Sequence, residues 1–384
     1  MASLNIALCN NSSSPIVFAY ITGRAIDRDN AVFLLQSDGK TAYYPKSPSS
    51  NGSKLAADCA IRLGGPGASR TVTIPHLAGA RIWFSLDQPL TFLLNPGPGL
   101  VEPSATNPSD PNIHLAWGFC EFTWNDAQMF ANISSVDFVS LPIALELEST
   151  AGTVQRIGGL YPNALARVCE ALREQSRREG NPRWSSLIFR ANGRDVRALS
   201  PNNGHVMNPK LFAGFYDPYV SRVWEHYRNK DLAVDTQAVW GIVSGRVVND
   251  QLRIAGQSFD RPSTKDIFSC SDGPFGGPLH GVRAALVPRI AAAFNRSTLM
   301  NNDGLEPSRK GTRSYYSGGI TNHYARIVHE NETDGRGYAF PYDDVNPTGG
   351  VDRSGSVSDG SPRLLTVTVR GSGSGKLAAI PGKL

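Results

Sequence analysis

Residues 118–142, GFCEFTWNDAQMFANISSVDFVSLP, set two carboxylates, Glu121 and Asp137, inside runs of apolar and β-branched residues. A strand that had only to pack would need no acid there. Read as a strand, residues 120–125 place Glu121, Thr123 and Asn125 on one face and Cys120, Phe122 and Trp124 on the other, because side chains alternate with a period of two. The second face is a core face. The first carries an acid, a hydroxyl and an amide in line, which suits a groove holding something rich in hydroxyl groups. Residues 135–141 bring in Asp137, with Val136 and Phe138 as packing anchors. About ten intervening residues suffice for a return connection. The two runs are therefore expected to be neighbouring strands with both acids on one concave surface.

The surrounding chain reads as mainly β with an α/β insert. At 384 residues it is longer than one typical domain. Short apolar runs at 5–9, 16–23, 31–36, 41–44, 70–75, 80–85 and 90–94 are separated by Asn, Ser, Asp and Gly clusters. SDGK at 37–40 is a hairpin turn. The Pro-rich stretch 95–112 reads as a long surface loop. After residue 150 the texture changes: 161–180, 217–230 and 282–297 carry helical spacing, the last kinked or started by Pro288. Residues 236–256 read as a hairpin turning at Asn249-Asp250. From about Tyr338 the β texture returns, ending in LLTVTVRG at 364–371. The expected division is a β domain from 1–152 and 312–371, an α/β domain at 153–311, and a flexible tail at 372–384.

Charged residues make up 18% of the chain and the formal net charge is +5. Lys and Arg are scattered, so no nucleic-acid partner is expected. No apolar stretch approaches a membrane span. Cys9, Cys59, Cys120, Cys169 and Cys270 form no CxxC pair and no zinc spacing, and an odd number leaves at least one free thiol. Sequons at Asn10, Asn11, Asn51, Asn132, Asn295 and Asn331 lean weakly toward secretion, while the first residues show no leader. The seven histidines include no HExxH, although His323 and His329 share an expected helix. GGPGAS (64–69) and GPFGGPLHG (273–281) lack the strand-to-helix context of a nucleotide site, and GxSxG is absent. No cofactor or metal is expected.

Two carboxylates facing each other across a groove are what glycoside hydrolysis needs, one protonated to donate to the leaving oxygen and one ionised. A solvated sheet face is the competing reading of the same spacing. The segments CEFTWN…SSVDFVSLP, NIALCNNSSSPIVFAYITG and RGYAFPYDDVNPTGG resemble the glycoside hydrolase family 64 β-1,3-glucanases that release laminaripentaose, relatives of the thaumatin-like proteins. The resemblance covers most of residues 3–371. It implies a thaumatin-like β-barrel or sandwich domain and a mixed α/β domain flanking a wide groove. It also implies endo-type, inverting hydrolysis of β-1,3-glucan such as laminarin, curdlan or fungal cell-wall glucan by an extracellular monomer.

By the same resemblance, Glu121 is the general acid and Asp137 the general base. Thr123 and Asn125 contact sugar hydroxyls, and Asp343 and Asp344 are further groove acids. Phe130 falls where related enzymes can carry a larger aromatic. Two readings compete: a thaumatin-like glucan-binding protein without turnover, and, for Asp343-Asp344, a simple turn cap. Inversion requires the two carboxyl groups to lie roughly 6.5–9.5 Å apart rather than the roughly 5–5.5 Å of a retaining pair. Phe119, Phe122 and Trp124, with like charge nearby, are expected to raise the Glu121 pKa.

Overall fold

Both ends of the chain enter one sheet. In the computed structural model, which describes residues 3–301 and 304–371, Leu4–Asn11 runs parallel to Pro362–Arg370, with Asn5 opposite Leu364 and Asn11 opposite Arg370. Among the described residues this sheet has five strands, in the order Val154–Ile157, Ile143–Ser149, Pro362–Arg370, Leu4–Asn11, Ser69–Ile74. A second sheet of eight runs Ser356–Asp359, Met129–Ile133, Trp117–Trp124, Leu77–Leu86, Val17–Ala25, Ala31–Leu35, Ala42–Tyr43, with Ile61–Arg62 also on Val17–Ala25. The tail read as flexible lies outside the described residues.

Alternation explains how the two sheets pack. Ile6, Leu8, Leu145 and Val367 from the first sheet meet Ile21, Ile82, Phe84, Phe122 and Met129 from the second in one dry core. Neither sheet closes on itself among the described residues, so the architecture is a sandwich, not a barrel. The other face of the larger sheet is covered only in part. There Tyr20, Trp83 and Trp117 join a second core with Phe138, with Val168 and Trp184 of the following α/β region, and with Tyr324 beyond it. Where that cover stops, the sheet is open to solvent.

The α/β region holds the expected helices. Ala164–Glu179 buries Val168, Cys169 and Leu172 and ends at Gly180, whose left-handed φ of 60° lets its N–H close onto the last carbonyls. Asp217–Asn229 follows. Val282–Arg296 is one continuous helix with Pro288 inside it, so the proline does not start it. Ile242–Val248 and Gln251–Ile254 form the hairpin, with Asn249 and Asp250 at φ 49° and 62°. Residues 236–241 are not its first strand but the turn that enters from Leu232–Asp235.

Two expectations fail. The strand beside Trp117–Trp124 is Met129–Ile133, which was read as a connection; it alternates buried Met129, Ala131 and Ile133 with part-exposed Phe130 and Asn132. The run with Asp137 supplies only Phe138–Val139, which pairs instead with Arg194–Leu199. Residues 95–112 are not a plain surface loop either. Leu93–Asn95, Gly99–Val101 and Ser53–Lys54 make a small sheet, and Asp110 and Asn112 are buried, each accepting backbone N–H bonds. All five cysteines are unpaired and four are buried, so they pack as small hydrophobes. Asn10, Asn295 and Asn331 are buried with their amides bonded to main-chain carbonyls, which removes three of the six sequons as surface acceptors.

The two-faced central strand gives a direct stability test. Phe122→Ala empties a fully packed site between the sheets and should cost about 3–5 kcal/mol, whereas Thr123→Ala on the open face should stay within about 1 kcal/mol. Urea unfolding midpoints measure both; equal losses would contradict the assignment of faces.

Candidate active site

The register of the larger sheet lines up one polar row. Thr22, Arg81, Glu121, Asn132 and Ser356 lie opposite one another on five consecutive strands. Beside it runs an aromatic row, Tyr20, Trp83 and Phe119. Within the polar row, Arg81 Nε and Nη2 both donate to Glu121 Oε1 at 3.1 Å, and Nη1 donates to Glu102 Oε2 at 2.6 Å. The other oxygen of Glu102 accepts from Thr22 Oγ1 at 2.8 Å. Sequence reasoning missed Arg81 and Glu102. Arg81 had a usable signal, since it too is a charge inside an apolar strand. Glu102 comes from the Pro-rich segment, whose path the sequence does not show.

Asp137 reaches the same groove from another direction. Its carbonyl accepts from Ser200 N at 2.9 Å and Asn203 Nδ2 at 3.0 Å, which fixes it to the start of the Pro201–Met207 helix. Just before it, Ser135 donates its N–H to the Tyr338 carbonyl and accepts from Tyr324 Oη, both at 2.7 Å. The result is a groove of about 380 Å³ with Glu121, Asn132, Asp137, Tyr338, Tyr342 and Asp344 in its walls, within the size range of small-ligand sites. The two acids are thus brought together across a seam between sheets rather than by neighbouring strands.

Two of the groove carboxyl groups, Asp137 and Asp344, have raised pKa values. Asp137 is exposed, yet the enclosing walls push its pKa up; the Glu121 charge adds to the rise, while Arg81 and a bond with Asn203 oppose it. Asp344 is pushed up too, mainly by burial in the wall, with Asp343 contributing. The apolar neighbours expected around Glu121 divide: Phe122 and Trp124 face the sandwich core, and Arg81 with Phe119 lies on the Glu121 side. Thr123 sits further along the strand and Asn125 just past its end, in the turn, and neither is in the walls of this groove. Thr123 Oγ1 accepts from Gly79 N at 3.3 Å, and Asn125 Oδ1 caps the hairpin by accepting from Ala127 N and Gln128 N.

Asp343 does not belong to the groove. It is 2% exposed and accepts from Arg296 Nη2 at 3.0 Å, His329 Nε2 at 2.8 Å and Ala339 N at 2.8 Å. Burial would raise its pKa, but His329 and Arg296 override it and hold the carboxylate low. Burial would likewise neutralise His329; the Asp343 charge, with Glu332 at 3.0 Å, instead pushes its pKa up to about 10. Adjacent acids on an irregular segment point opposite ways, one into the groove and one into the protein behind it. This ion cluster backs the wall that carries Tyr338, Tyr342 and Asp344.

Residues 2–369 match the model of glycoside hydrolase family 64, described as beta-1,3-glucanase. Over 310 residues the chain is 29% identical to a glucan endo-1,3-beta-glucosidase of Arthrobacter sp. (strain YCWD3) and 30% identical to one of Cellulosimicrobium cellulans. Each alignment covers 78% of this chain and 53% of the relative, so the chain spans about half the length of these curated relatives. Among solved structures, a laminaripentaose-producing beta-1,3-glucanase in complex with laminaritetraose matches at TM-score 0.85 and 31% identity, covering 97% of this chain and 100% of that one. A beta-1,3-glucanase domain from Clostridium beijerinckii, at TM-score 0.72 and 19% identity over 96% and 98% of the two chains, shows the same fold.

The two acids of YDD should separate in a stability measurement. Asp343→Asn leaves Arg296 and His329 without their buried anion and should cost about 3–5 kcal/mol; Asp344→Asn should stay within about 1 kcal/mol. The sign of the pH dependence follows from His329. Its folded pKa is raised, so its contribution is complete below its unfolded value near 6.5 and is lost as pH rises toward about 10. Thermal unfolding from pH 6 to 10 should show this loss in the wild type and a smaller one in Asp343→Asn, where Glu332 still faces His329.

Proposed function

The chain belongs to glycoside hydrolase family 64, and on that premise we propose that it is an endo-acting, inverting hydrolase of β-1,3-glucan that releases laminari-oligosaccharides, laminaripentaose among them. The observation that carries this reading is the meeting of Glu121 and Asp137 in one groove. Glu121 protonates the glycosidic oxygen as the bond to C1 breaks. Asp137 takes a proton from a water that attacks C1 from the opposite face, so a β-linkage yields an α-anomer. Asp344 contacts glucan in the wall, and Thr123 and Asn125 meet sugar hydroxyls further along the strand. The curated relatives' names and the laminaritetraose held by the similar solved protein support this substrate class. The proposal extends to an extracellular monomer, with 1–152 and 312–371 as one folding unit and 153–311 as a second.

Product analysis on laminarin by chromatography and proton NMR tests the reading: the first-formed reducing ends should be α and dominated by short laminari-oligosaccharides. No reducing sugar released, with glucan still retained in a pull-down, would leave only a binding protein. Glu121→Gln and Asp137→Asn should each lower kcat by about 10²- to 10⁴-fold with folding intact. An aryl laminarioligoside with a good leaving group should recover turnover in Glu121→Gln only, because it needs no acid. The ionised base requirement fixes the sign of the acid limb. Activity should fall as pH drops through the raised Asp137 pKa, placing that limb above the ordinary aspartate value.

A further inference from the structure

Arg81 is held on every side. Besides its bonds to Glu121 and Glu102, its guanidinium lies 4.8 Å from the Phe119 ring centroid and 5.5 Å from that of Trp83. Behind Glu102 the chain of donors continues: Thr22 Oγ1 donates to Glu102, and Trp83 Nε1 donates to Thr22 Oγ1 at 3.1 Å. Both bonds from Arg81 land on Glu121 Oε1. Glu121 Oε2 accepts from no side-chain donor among the described residues, and the Glu121 side chain is 39% exposed.

We propose that Arg81 is a positioning residue of this site: clamped by Glu102 and the Thr22–Trp83 relay, it anchors Glu121 by Oε1, leaves Oε2 to the substrate, and sets a fixed cation within electrostatic reach of Asp137. This rests on reading Glu121 and Asp137 as the reacting pair. Magnitude argues for geometry over stability. The side chains of Arg81, Glu102 and Glu121 are 32%, 28% and 39% exposed, and ion pairs so open to water stabilise a fold by about 1 kcal/mol or less. A displacement of about 1 Å in a reacting group, by contrast, costs on the order of 10²-fold in rate. Asp137 is faced by Glu121 and Asp344, by Tyr338 and Tyr342 in the groove wall and by buried Tyr324; Arg81 is the cation that opposes burial and the Glu121 charge there.

The test uses Arg81→Ala, Arg81→Lys and Glu102→Gln in the full chain, with turnover of laminarin across pH and carboxyl 13C NMR titration of Asp137 assigned through Asp137→Asn. Arg81→Ala should fold, lose about 10²-fold in kcat with KM little changed, and move both the acid limb and the Asp137 titration to higher pH. Arg81→Lys keeps the charge but not the two-bond hold, so its limb should stay in place while kcat remains reduced. Glu102→Gln, by loosening the clamp, should fall between wild type and Arg81→Ala. A folded Arg81→Ala with wild-type kcat and limb would overturn the proposal. If the wild type does not hydrolyse β-1,3-glucan, the functional reading fails on its own. The titration still decides Arg81: an Asp137 midpoint that moves up in Arg81→Ala and stays in Arg81→Lys supports its role, and one unmoved in Arg81→Ala overturns it.

Discussion

A side-chain period of two obliges Cys120, Phe122 and Trp124 to enter the sandwich core if Glu121 is to face the groove and Thr123 the same open side of the sheet. Slipping this strand by one residue would expose Phe122 and Trp124, at about 1.5–3 kcal/mol each, and push Glu121 into a dry core with no partner. The register is therefore strongly specified. Because the strand is central, its placement fixes its neighbours too. Arg81 stands across from Glu121 on one side and Asn132 on the other, and the polar row follows.

The second carboxylate depends on a different constraint. Asp137 sits where the chain leaves the larger sheet and pairs Phe138–Val139 with Arg194–Leu199. That strand is stapled to the sheet by Arg197, fully buried, which donates to the Ile113 and Leu115 carbonyls at 2.7 and 2.8 Å and lies 5.2 Å from the Trp117 ring and 5.8 Å from that of Phe138. The distance across the groove is thus set by packing between the sandwich and the α/β region. A third segment closes the wall, held from behind by the Asp343 cluster. Each acid comes from a separate structural context, which is why their environments can differ.

The legible part of the sequence was the part governed by local periodicity. Alternation in 120–124, the Asn249-Asp250 turn and the helix ending at Gly180 all depend on neighbours in the chain. Pairing partners do not. The strand 129–133 is not legible locally, because Met-Phe-Ala-Asn-Ile shows its alternation only once the Asn125–Gln128 turn is known to return the chain. The spacing puts Asp137 near Glu121 as a neighbouring strand, whereas in the fold it reaches the groove across a seam between sheets. Asp343 and Asp344 are indistinguishable by composition, and only the irregular backbone around Tyr342, at φ 65°, sends them to opposite sides. The sequons lean weakly toward secretion as patterns, yet three are core asparagines whose amides satisfy carbonyls.

The most direct measurement is a crystal structure of Glu121→Gln with a laminari-oligosaccharide spanning the groove. The predicted result is a glycosidic oxygen against residue 121, a water between C1 and Asp137 on the opposite face, and the two side-chain ends roughly 6.5–9.5 Å apart. A separation near the roughly 5–5.5 Å of a retaining pair, or a sugar chain bound away from both residues, would contradict the assignment of this groove as an inverting glucanase site.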